Sequence, residues 1–427
     1  MLKKIEMVNG VSAALAFIAG AIPLLIIPAF GDPIYMPKIF LVYVIVFGLL
    51  LYYLRPLITF FEKRPTVPLP VKWLLIYLLL ITITLPFSID IMHSLRGRSF
   101  RLESFSAILF YGILMILGAF FYRFKKWHMQ LYAVGVSLIA IYGIFQRFGL
   151  DFLPQDPLMY GGPGSSYATI GNPNFLGSFL TLALPMMAYA FMKMKVYYLL
   201  PSGLVYFCLL CTNTRGAWIG SFCGIFLLGV FLFKENKKRL VILILMLALL
   251  TILYFTVTTG FIDRLLSTFI DFFKIMNHEE SSVFGGSNRI FIWYKVVQLI
   301  QIRPFTGFGI ENLDKVMELY FHQDIVDAFG MTINIDKAHN EYLHIAVCSG
   351  IPAALAYLSF EISVLVGGFK QCLKKDNFCI PLVCSVLGYI IASFFNISVV
   401  SVAPVFFIFC GILVKQSRPM ETICFDS

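Results

Sequence analysis

Charged residues are scarce in this sequence. Only 13% of its 427 residues are Asp, Glu, Lys or Arg, and 59% are hydrophobic, whereas soluble domains carry about a quarter charged residues. A soluble fold could not hide this much apolar surface, so the composition predicts a polytopic membrane protein. The net charge of +10 does not favour nucleic-acid binding, because the basic residues lie in short loops between apolar runs, where membrane topology explains them.

Common signatures of metal, nucleotide and acyl-ester chemistry are also missing. The sequence contains no DxD pair, no HExxH and no His/Cys cluster with ligand spacing, so we expect no catalytic metal. It has no GxxxxGK[ST] loop, which argues against ATP as the energy source, and no GxSxG elbow of an acyl hydrolase. The nine cysteines are expected to pack in apolar surroundings. We therefore expect a protein that needs no cofactor.

Long apolar runs dominate what is present. A membrane-crossing helix needs about 20 apolar residues. About twelve runs approach this length, and the first is expected to be retained as a span because no clear signal-peptide cleavage site follows it. The predicted spans are residues 11–30, 37–54, 71–87, 104–122, 129–146, 174–192, 196–212, 217–233, 240–258, 340–368, 378–396 and 398–415.

The basic residues orient these spans. With both termini in the cytoplasm, 20 of the 33 Lys and Arg residues fall in cytoplasmic segments, as the positive-inside rule expects. Eight of the remaining 13 are arginines. Guanidinium groups bind phosphate oxygens bidentately, so this bias favours a phosphate ligand on the outer face. Contacts with lipid headgroups or acidic side chains are the alternative interpretation.

Residues 259–338 form the long polar interval of the chain. We predict that they are an extracytoplasmic loop between spans nine and ten, embedded in a single membrane domain that covers residues 1–427. The pattern of residues 289–303 predicts a helix at the membrane interface, which Pro304 ends. A second helix is predicted from Leu313 to Ala328.

Two outer arginines stand at predicted helix starts. Arg289 follows a GGSN segment and opens the interfacial helix, where free backbone N–H groups and the helix dipole favour an anion. Arg215 lies in the short TNTRGAW connection between spans seven and eight, and an arginine this close to two helix ends needs a ligand or a carboxylate partner. An ordinary capped helix and a snorkelling side chain are the respective alternatives.

His339 stands just before span ten, beside Asn340 and Glu341. The ordinary pKa of imidazole suits proton transfer near neutrality. Beside a phosphate site we therefore interpret His339 as a catalytic candidate, and a structural histidine is the alternative.

Two weaker signals lie on the same predicted face. Asn172 and Asn174, in the GNPNFLG stretch, either cap span six or hold sugar hydroxyls. Arg98 or Arg101, between spans three and four, is a candidate third phosphate contact.

Taken together, these motifs resemble the O-antigen ligase and O-antigen polymerase superfamily. The resemblance covers roughly residues 85–410 and is densest from 170 to 350. It rests on GNPNFLG before span six, TNTRGAW between spans seven and eight, SNRIFIW and IRPFTGFGIENL in the long loop, and AHNEYL before span ten. It implies an all-α, GT-C-type enzyme of the bacterial plasma membrane. Such enzymes move a glycan from undecaprenyl pyrophosphate to an acceptor on the outer face, without a metal.

The resemblance also suggests roles for individual residues. Arg215 and Arg289 would match the pyrophosphate-binding arginines, and His339 the essential histidine. Trp293 of the SNRIFIW motif is included as a substrate contact. Glu341 follows the His-Asn pair where members of the family vary, and it either orients His339 or binds the acceptor.

The predicted reaction is a direct displacement at the anomeric carbon, which inverts its configuration. His339 would accept the proton of the acceptor hydroxyl or hydrogen-bond the phosphate. The acceptor stays open between a glycolipid (ligase), a lipid-linked glycan (polymerase) and a protein (oligosaccharyltransferase). A secondary transporter or lipid-linked glycan flippase with twelve spans is the main alternative, and a scaffold of an envelope complex is another.

Overall fold

The computed structural model describes residues 2–98, 102–152, 164–258, 288–373 and 378–417. Within these ranges the chain is helical and contains no strand. The α-helices are α1 (Leu2–Gly20), α2 (Tyr35–Tyr52), α3 (Leu54–Glu62), α4 (Leu69–Thr84), α5 (Ile91–Arg96), α6 (Phe105–Phe121), α7 (Lys126–Arg147), α8 (Pro173–Lys193), α9 (Leu199–Cys211), α10 (Arg215–Leu232), α11 (Lys237–Val257), α12 (Arg289–Ile302), α13 (Leu313–Phe329), α14 (Glu341–Ser349), α15 (Ile351–Leu373), α16 (Cys379–Ser393) and α17 (Ala403–Gln416).

The apolar helices fall where spans are predicted. In the described part of the chain, eight helical segments are long and apolar enough to cross a membrane. Four shorter apolar helices, at 105–121, 196–211, 379–393 and 403–416, coincide with the other four predicted spans. The prediction of an all-α polytopic membrane protein is confirmed. The total of twelve spans stays a prediction, because these four helices are shorter than the roughly 20 residues that usually cross a bilayer.

Two predicted spans have different ends. The first was placed at 11–30, but α1 ends at Gly20 and residues 25–30 are not helical. Pro23 and Pro28 explain this end, because proline lacks the backbone N–H that a continuing helix needs. The last span was placed at 398–415, but α17 begins at Ala403 with Pro404 in its first turn, where proline favours a helix start.

Predicted span ten is two helices, and the break lies at Gly350. This glycine has φ +87, a backbone conformation that residues with a side chain rarely adopt. A Cβ atom there would overlap the Phe305 carbonyl oxygen. The break also leaves the Ile351 N–H free to donate to the Pro304 carbonyl at 2.7 Å. Therefore α15 is the part of predicted span ten that is long and apolar enough to cross a membrane, and α14 is a separate helix before it.

The RPFTGFG segment docks against the end of α14. The Phe308 N–H donates to the Val347 carbonyl at 3.0 Å, and the Gly309 N–H donates to the Cys348 carbonyl at 2.8 Å. These bonds satisfy carbonyl groups that the end of a helix leaves without partners. The motif thus ties the long outer loop to α14.

The two helices predicted in the outer loop are confirmed as α12 and α13. They form a small apolar core with α14, which includes Phe291, Val296, Leu299, Val316 and Val347. The orientation of α12 along the membrane surface stays a prediction. This core makes the outer segment a packed platform, on which residues far apart in sequence are held together.

Close backbone contacts hold the bundle around α8, whose apolar stretch is fully buried. A Cβ at Gly220 of α10 would overlap the Gly388 carbonyl of α16. In the same way, Gly118 of α6 lies against Gly411 of α17. Small residues allow such close approach between membrane helices. This packing fixes the position of the first residue of α10, which is Arg215.

Candidate active site

Arg215 is the first residue of α10, immediately after a tight turn. Asn213 takes a left-handed conformation with φ +53, and its side-chain oxygen accepts a hydrogen bond from the Tyr254 hydroxyl at 3.0 Å. The Thr214 hydroxyl donates to the Pro173 carbonyl of α8 at 3.2 Å. These contacts place the half-buried Arg215 side chain at a helix N-terminus, where the helix dipole favours negative charge.

The start of α8 lies next to this turn. Asn172 caps α8, since its side-chain oxygen accepts from the Asn174 N–H at 2.9 Å. The Asn396 side-chain amide, in the loop after α16, donates to the Asn174 carbonyl at 2.8 Å and to the Ser178 hydroxyl at 2.7 Å. The capping alternative for Asn172 is therefore observed. Sugar binding by Asn172 and Asn174 remains a prediction.

Arg289 opens α12, as the sequence predicts. Asn288 precedes it with φ +66, which turns the chain into the helix. Trp293 lies one helical turn further on, and residues four apart share a helix face. Its indole N–H donates to the Ala338 carbonyl at 2.8 Å. This bond joins α12 to the residue that immediately precedes His339.

The two arginines of the site lie close enough to repel each other. Burial, and secondly the positive charge of Arg215, lower the pKa of Arg289 to about 10. No acidic side chain of the described residues offsets this repulsion at Arg289. Two cations brought together in a partly desolvated place favour an anion between them, since opposite charge then stabilises both.

The segment after Ala338 forms the other side of the site. His339 has φ +50, and its Nδ1 atom is buried. Asn340 caps α14, because its side-chain oxygen accepts from the Leu343 N–H at 3.0 Å. The Trp293–Ala338 bond joins α12 to the segment that carries His339. That Arg215, Arg289 and His339 form one catalytic site stays a prediction.

Glu341 lies in a buried charged cluster, which we call the acidic chamber. The chamber is a cavity with about 40 Å³ of space open to water, and its charged or titratable lining side chains include Glu103, Glu311, Lys337, Glu341 and His344. A single buried water needs roughly 10–15 Å³ of such space, so the chamber has room for water.

Lys337 and Glu311 form an ion pair inside the acidic chamber, and their side chains are 1% and 2% exposed. The Glu341 carboxylate accepts from the Ser398 N–H in the loop before α17. The Tyr111 hydroxyl donates to Glu103 at 3.2 Å. Chiefly through burial, the pKa of Glu103 is raised to about 8 and that of Glu341 to about 7.

Arg98 has carboxylate partners of its own. Its guanidinium lies 3.2 Å from Asp314 and 3.5 Å from Asp336. Asp336 stands three residues before His339, so Arg98 connects the loop between α5 and α6 to the His339 segment. A phosphate contact by Arg98 remains a prediction. Arg101, the neighbouring candidate, lies outside the described residues.

Three residues of the acidic chamber did not emerge from sequence reasoning, namely Glu103, Glu311 and Lys337. A signal was present for two of them. Glu311 is part of the IRPFTGFGIENL motif, and Lys337 stands two residues before His339. Their pairing did not follow from the sequence, because nothing in the pattern shows that these two segments are in contact.

The arrangement as a whole suits an anionic substrate that also undergoes proton transfer. Two guanidinium groups can hold a diphosphate. Imidazole has an ordinary pKa that suits proton exchange near neutral pH, which is the role predicted for His339. The acidic chamber supports the histidine-bearing segment from within the protein.

A comparison with known families gives a match to part of the chain. A family model described as O-antigen ligase matches residues 200–358, which include Arg215, Arg289 and His339. No curated protein matches the chain significantly. The predicted resemblance to the O-antigen ligase superfamily is confirmed over residues 200–358, and the described apolar helices agree with an integral membrane protein.

Proposed function

We propose that the protein transfers a glycan from undecaprenyl pyrophosphate to an acceptor hydroxyl during cell-surface polysaccharide synthesis. The observation that carries this proposal is the proximity of Arg215 and Arg289 at two helix N-termini, where burial and mutual repulsion lower the pKa of Arg289. A diphosphate is an anion of the size and charge that such a pair can bind. The site faces the outside of the bacterial plasma membrane, and both termini are cytoplasmic.

The reaction needs no nucleotide, because the anomeric carbon already carries a pyrophosphate leaving group. The acceptor oxygen forms a bond to this carbon, and the carbon–oxygen bond to pyrophosphate breaks with its electron pair on the leaving oxygen. Fixed guanidinium groups of Arg215 and Arg289 stabilise this growing negative charge more than the ground state, which accelerates the step. Direct attack inverts the anomeric configuration.

His339 has two roles open to it. It can accept the proton that the acceptor hydroxyl loses, or it can hydrogen-bond the phosphate. The Trp293–Ala338 hydrogen bond supports a place for His339 beside the arginines. Neither role needs a metal or cofactor. Asn172, Asn174 and Trp293, with Arg98 and Arg101, are proposed to contact donor or acceptor, and Glu341 either orients His339 or binds the acceptor.

The direct test uses purified protein and a short undecaprenyl-pyrophosphate-linked oligosaccharide, with and without acceptors. A ladder of products from donor alone indicates a polymerase, and a single addition to an added acceptor indicates a ligase or oligosaccharyltransferase. The product should have the inverted anomeric configuration. Donor movement across liposomes without a new glycosidic bond would instead favour a carrier or flippase.

Variants separate the proposed roles. We expect His339→Ala to abolish transfer at normal protein abundance. If His339 accepts the proton, this variant still binds undecaprenyl pyrophosphate as tightly as the wild type. If it contacts phosphate, binding weakens as well. Substantial transfer by His339→Ala would remove histidine from the mechanism.

A further inference from the structure

Lys337 lies two residues before His339 and Glu341 lies two residues after it, and both side chains line the acidic chamber. Lys337, on one side, forms a buried ion pair with Glu311. Glu341, on the other side, accepts the Ser398 N–H and is 7% exposed. The segment from 337 to 341 is therefore tied by charged side chains to two other parts of the chain.

Ala338 and Asn340 lie between Lys337 and Glu341. A hydrogen bond to its backbone carbonyl holds Ala338, and a helix cap holds Asn340. The Ala338 carbonyl accepts from the Trp293 indole, and the Asn340 side chain caps α14. His339 itself has φ +50, which is uncommon for a residue with a side chain and persists only where the surroundings impose it.

We propose that Lys337, Glu311 and Glu341 are positioning residues that hold His339 in its reactive orientation without contacting the substrate. The proposal rests on the proposed glycan transfer. It resolves the alternative roles of Glu341 in favour of orientation, and it adds a Lys–Glu pair that neither the motifs nor the family match assigns.

The burial of Lys337, Glu311 and Glu341 argues against direct contact between these side chains and the substrate. Lys337 and Glu311 neutralise each other, so no charge of the pair is left for a ligand. Glu103 and His344 also line the acidic chamber. His344 Nε2 lies 3.4 Å from Lys337 Nζ, which makes it part of the same anchoring network.

The first experiment removes the ion pair as a unit. Deleting one partner would leave a buried charge alone and endanger folding, whereas replacing both partners is usually tolerated. We therefore compare Lys337→Met/Glu311→Gln with the wild type. Misplacing a reactive group by about 1 Å can cost about 100-fold in rate. We expect kcat to fall about 10- to 100-fold, with KM for the donor unchanged because both arginines remain.

A matched control pair lies on the same platform. Lys295 of α12 forms an ion pair with Asp324 of α13 at 2.7 Å, away from the His339 segment. We expect Lys295→Met/Asp324→Asn to keep the wild-type kcat. A reversed pair, Lys337→Glu/Glu311→Lys, should recover much of the lost kcat. Wild-type kcat in Lys337→Met/Glu311→Gln, or an equal loss in the control pair, would overturn the proposal.

Glu341 is tested by substitutions of different severity. Glutamine keeps an oxygen that can accept the Ser398 N–H, so Glu341→Gln should retain kcat within about 3-fold, whereas Glu341→Ala should lose at least about 10-fold. Equal loss in both variants would show that the charge of Glu341 acts directly in the reaction, which contradicts a positioning role.

Donor binding distinguishes failure of this proposal from failure of the proposed function. Binding of undecaprenyl pyrophosphate depends on Arg215 and Arg289, and it should be unchanged in the variants of Lys337, Glu311 and Glu341. If the wild type neither binds this lipid nor transfers glycan, the proposed function is wrong. If the wild type transfers glycan and the paired variant transfers equally well, only the positioning role is wrong.

Discussion

The arginine site and the acidic chamber use charge in opposite ways. Arg215 and Arg289 bring two positive charges together, and no acidic group of the described residues compensates Arg289. In the acidic chamber, the Lys337 and Glu311 side chains are buried and form an ion pair with each other. In the first region two like charges repel each other, whereas in the second region opposite charges form a pair.

This contrast distinguishes a pair of side chains suited to binding a ligand from a pair suited to holding chain segments in place. A repelling pair is costly in a partly desolvated place, and a bound anion relieves that cost. A buried ion pair between two protein side chains gains little from a ligand, but it holds together the two chain segments to which the side chains belong. The same types of side chain therefore form a ligand site in one region and an anchor in the other.

The largest effect is expected at the arginine site. Arg289→Ala removes a charge that stabilises the leaving pyrophosphate, and loss of one such group typically costs about 100- to 1,000-fold in kcat. Arg289→Lys should also be poor, because a point charge lacks the planar fork. Transfer rates of purified variants measure both effects. Near-normal transfer by Arg289→Ala would contradict the interpretation of the arginine pair as a ligand site. Lys295→Ala, on the same helix, is the control and should keep normal transfer.

The pH dependence of stability probes the acidic chamber. Since burial raises the pKa of Glu103 to about 8 and of Glu341 to about 7, the folded protein holds protons that the unfolded chain, near 4.5, has released. The unfolding free energy therefore falls as pH rises from 5 to 8, by roughly 6 kcal/mol if both shifts are fully expressed. Thermal unfolding across this range should show the fall, and Glu103→Gln/Glu341→Gln should flatten it. An equally steep fall in the variant would show that these carboxylates are not responsible.

A smaller effect is expected at the junction between the two regions. Trp293→Phe removes the hydrogen bond to the Ala338 carbonyl, which contributes about 1 kcal/mol. We expect kcat to fall about 3- to 10-fold, because the peptide next to His339 loses a tie to α12. Steady-state kinetics measure this loss. The same substitution at Trp73 of α4 should leave kcat unchanged, and similar losses at both positions would point to a general packing effect.

The smallest effect is expected at Arg98. Its ion pairs with Asp314 and Asp336 involve partly exposed side chains, and such pairs contribute about 1 kcal/mol or less. Arg98→Ala should reduce kcat less than about 5-fold, and Arg98→Lys should restore it, because a lysine can keep the ion pair. If the donor KM rises in both variants, Arg98 contacts phosphate and belongs to the arginine site.

Much of the architecture could be predicted from sequence, because membrane helices depend on local apolar length. The helices α12 and α13 also followed from periodicity and from Pro304. The break at Gly350 did not, since the apolar run continues through it. Only the docked RPFTGFG segment, which meets the backbone of α14 at this point, explains why a glycine interrupts the helix there.

The sequence by itself determined that this is a helical membrane protein, because hydrophobicity and charge are properties of short segments. It also identified Arg215, Arg289 and His339 as residues to examine. Only the tertiary structure decided which charges meet. The pairing of Glu311 with Lys337 and the contact of Glu341 with Ser398 join segments distant in the chain, and such contacts arise from helix packing, which local sequence pattern does not contain.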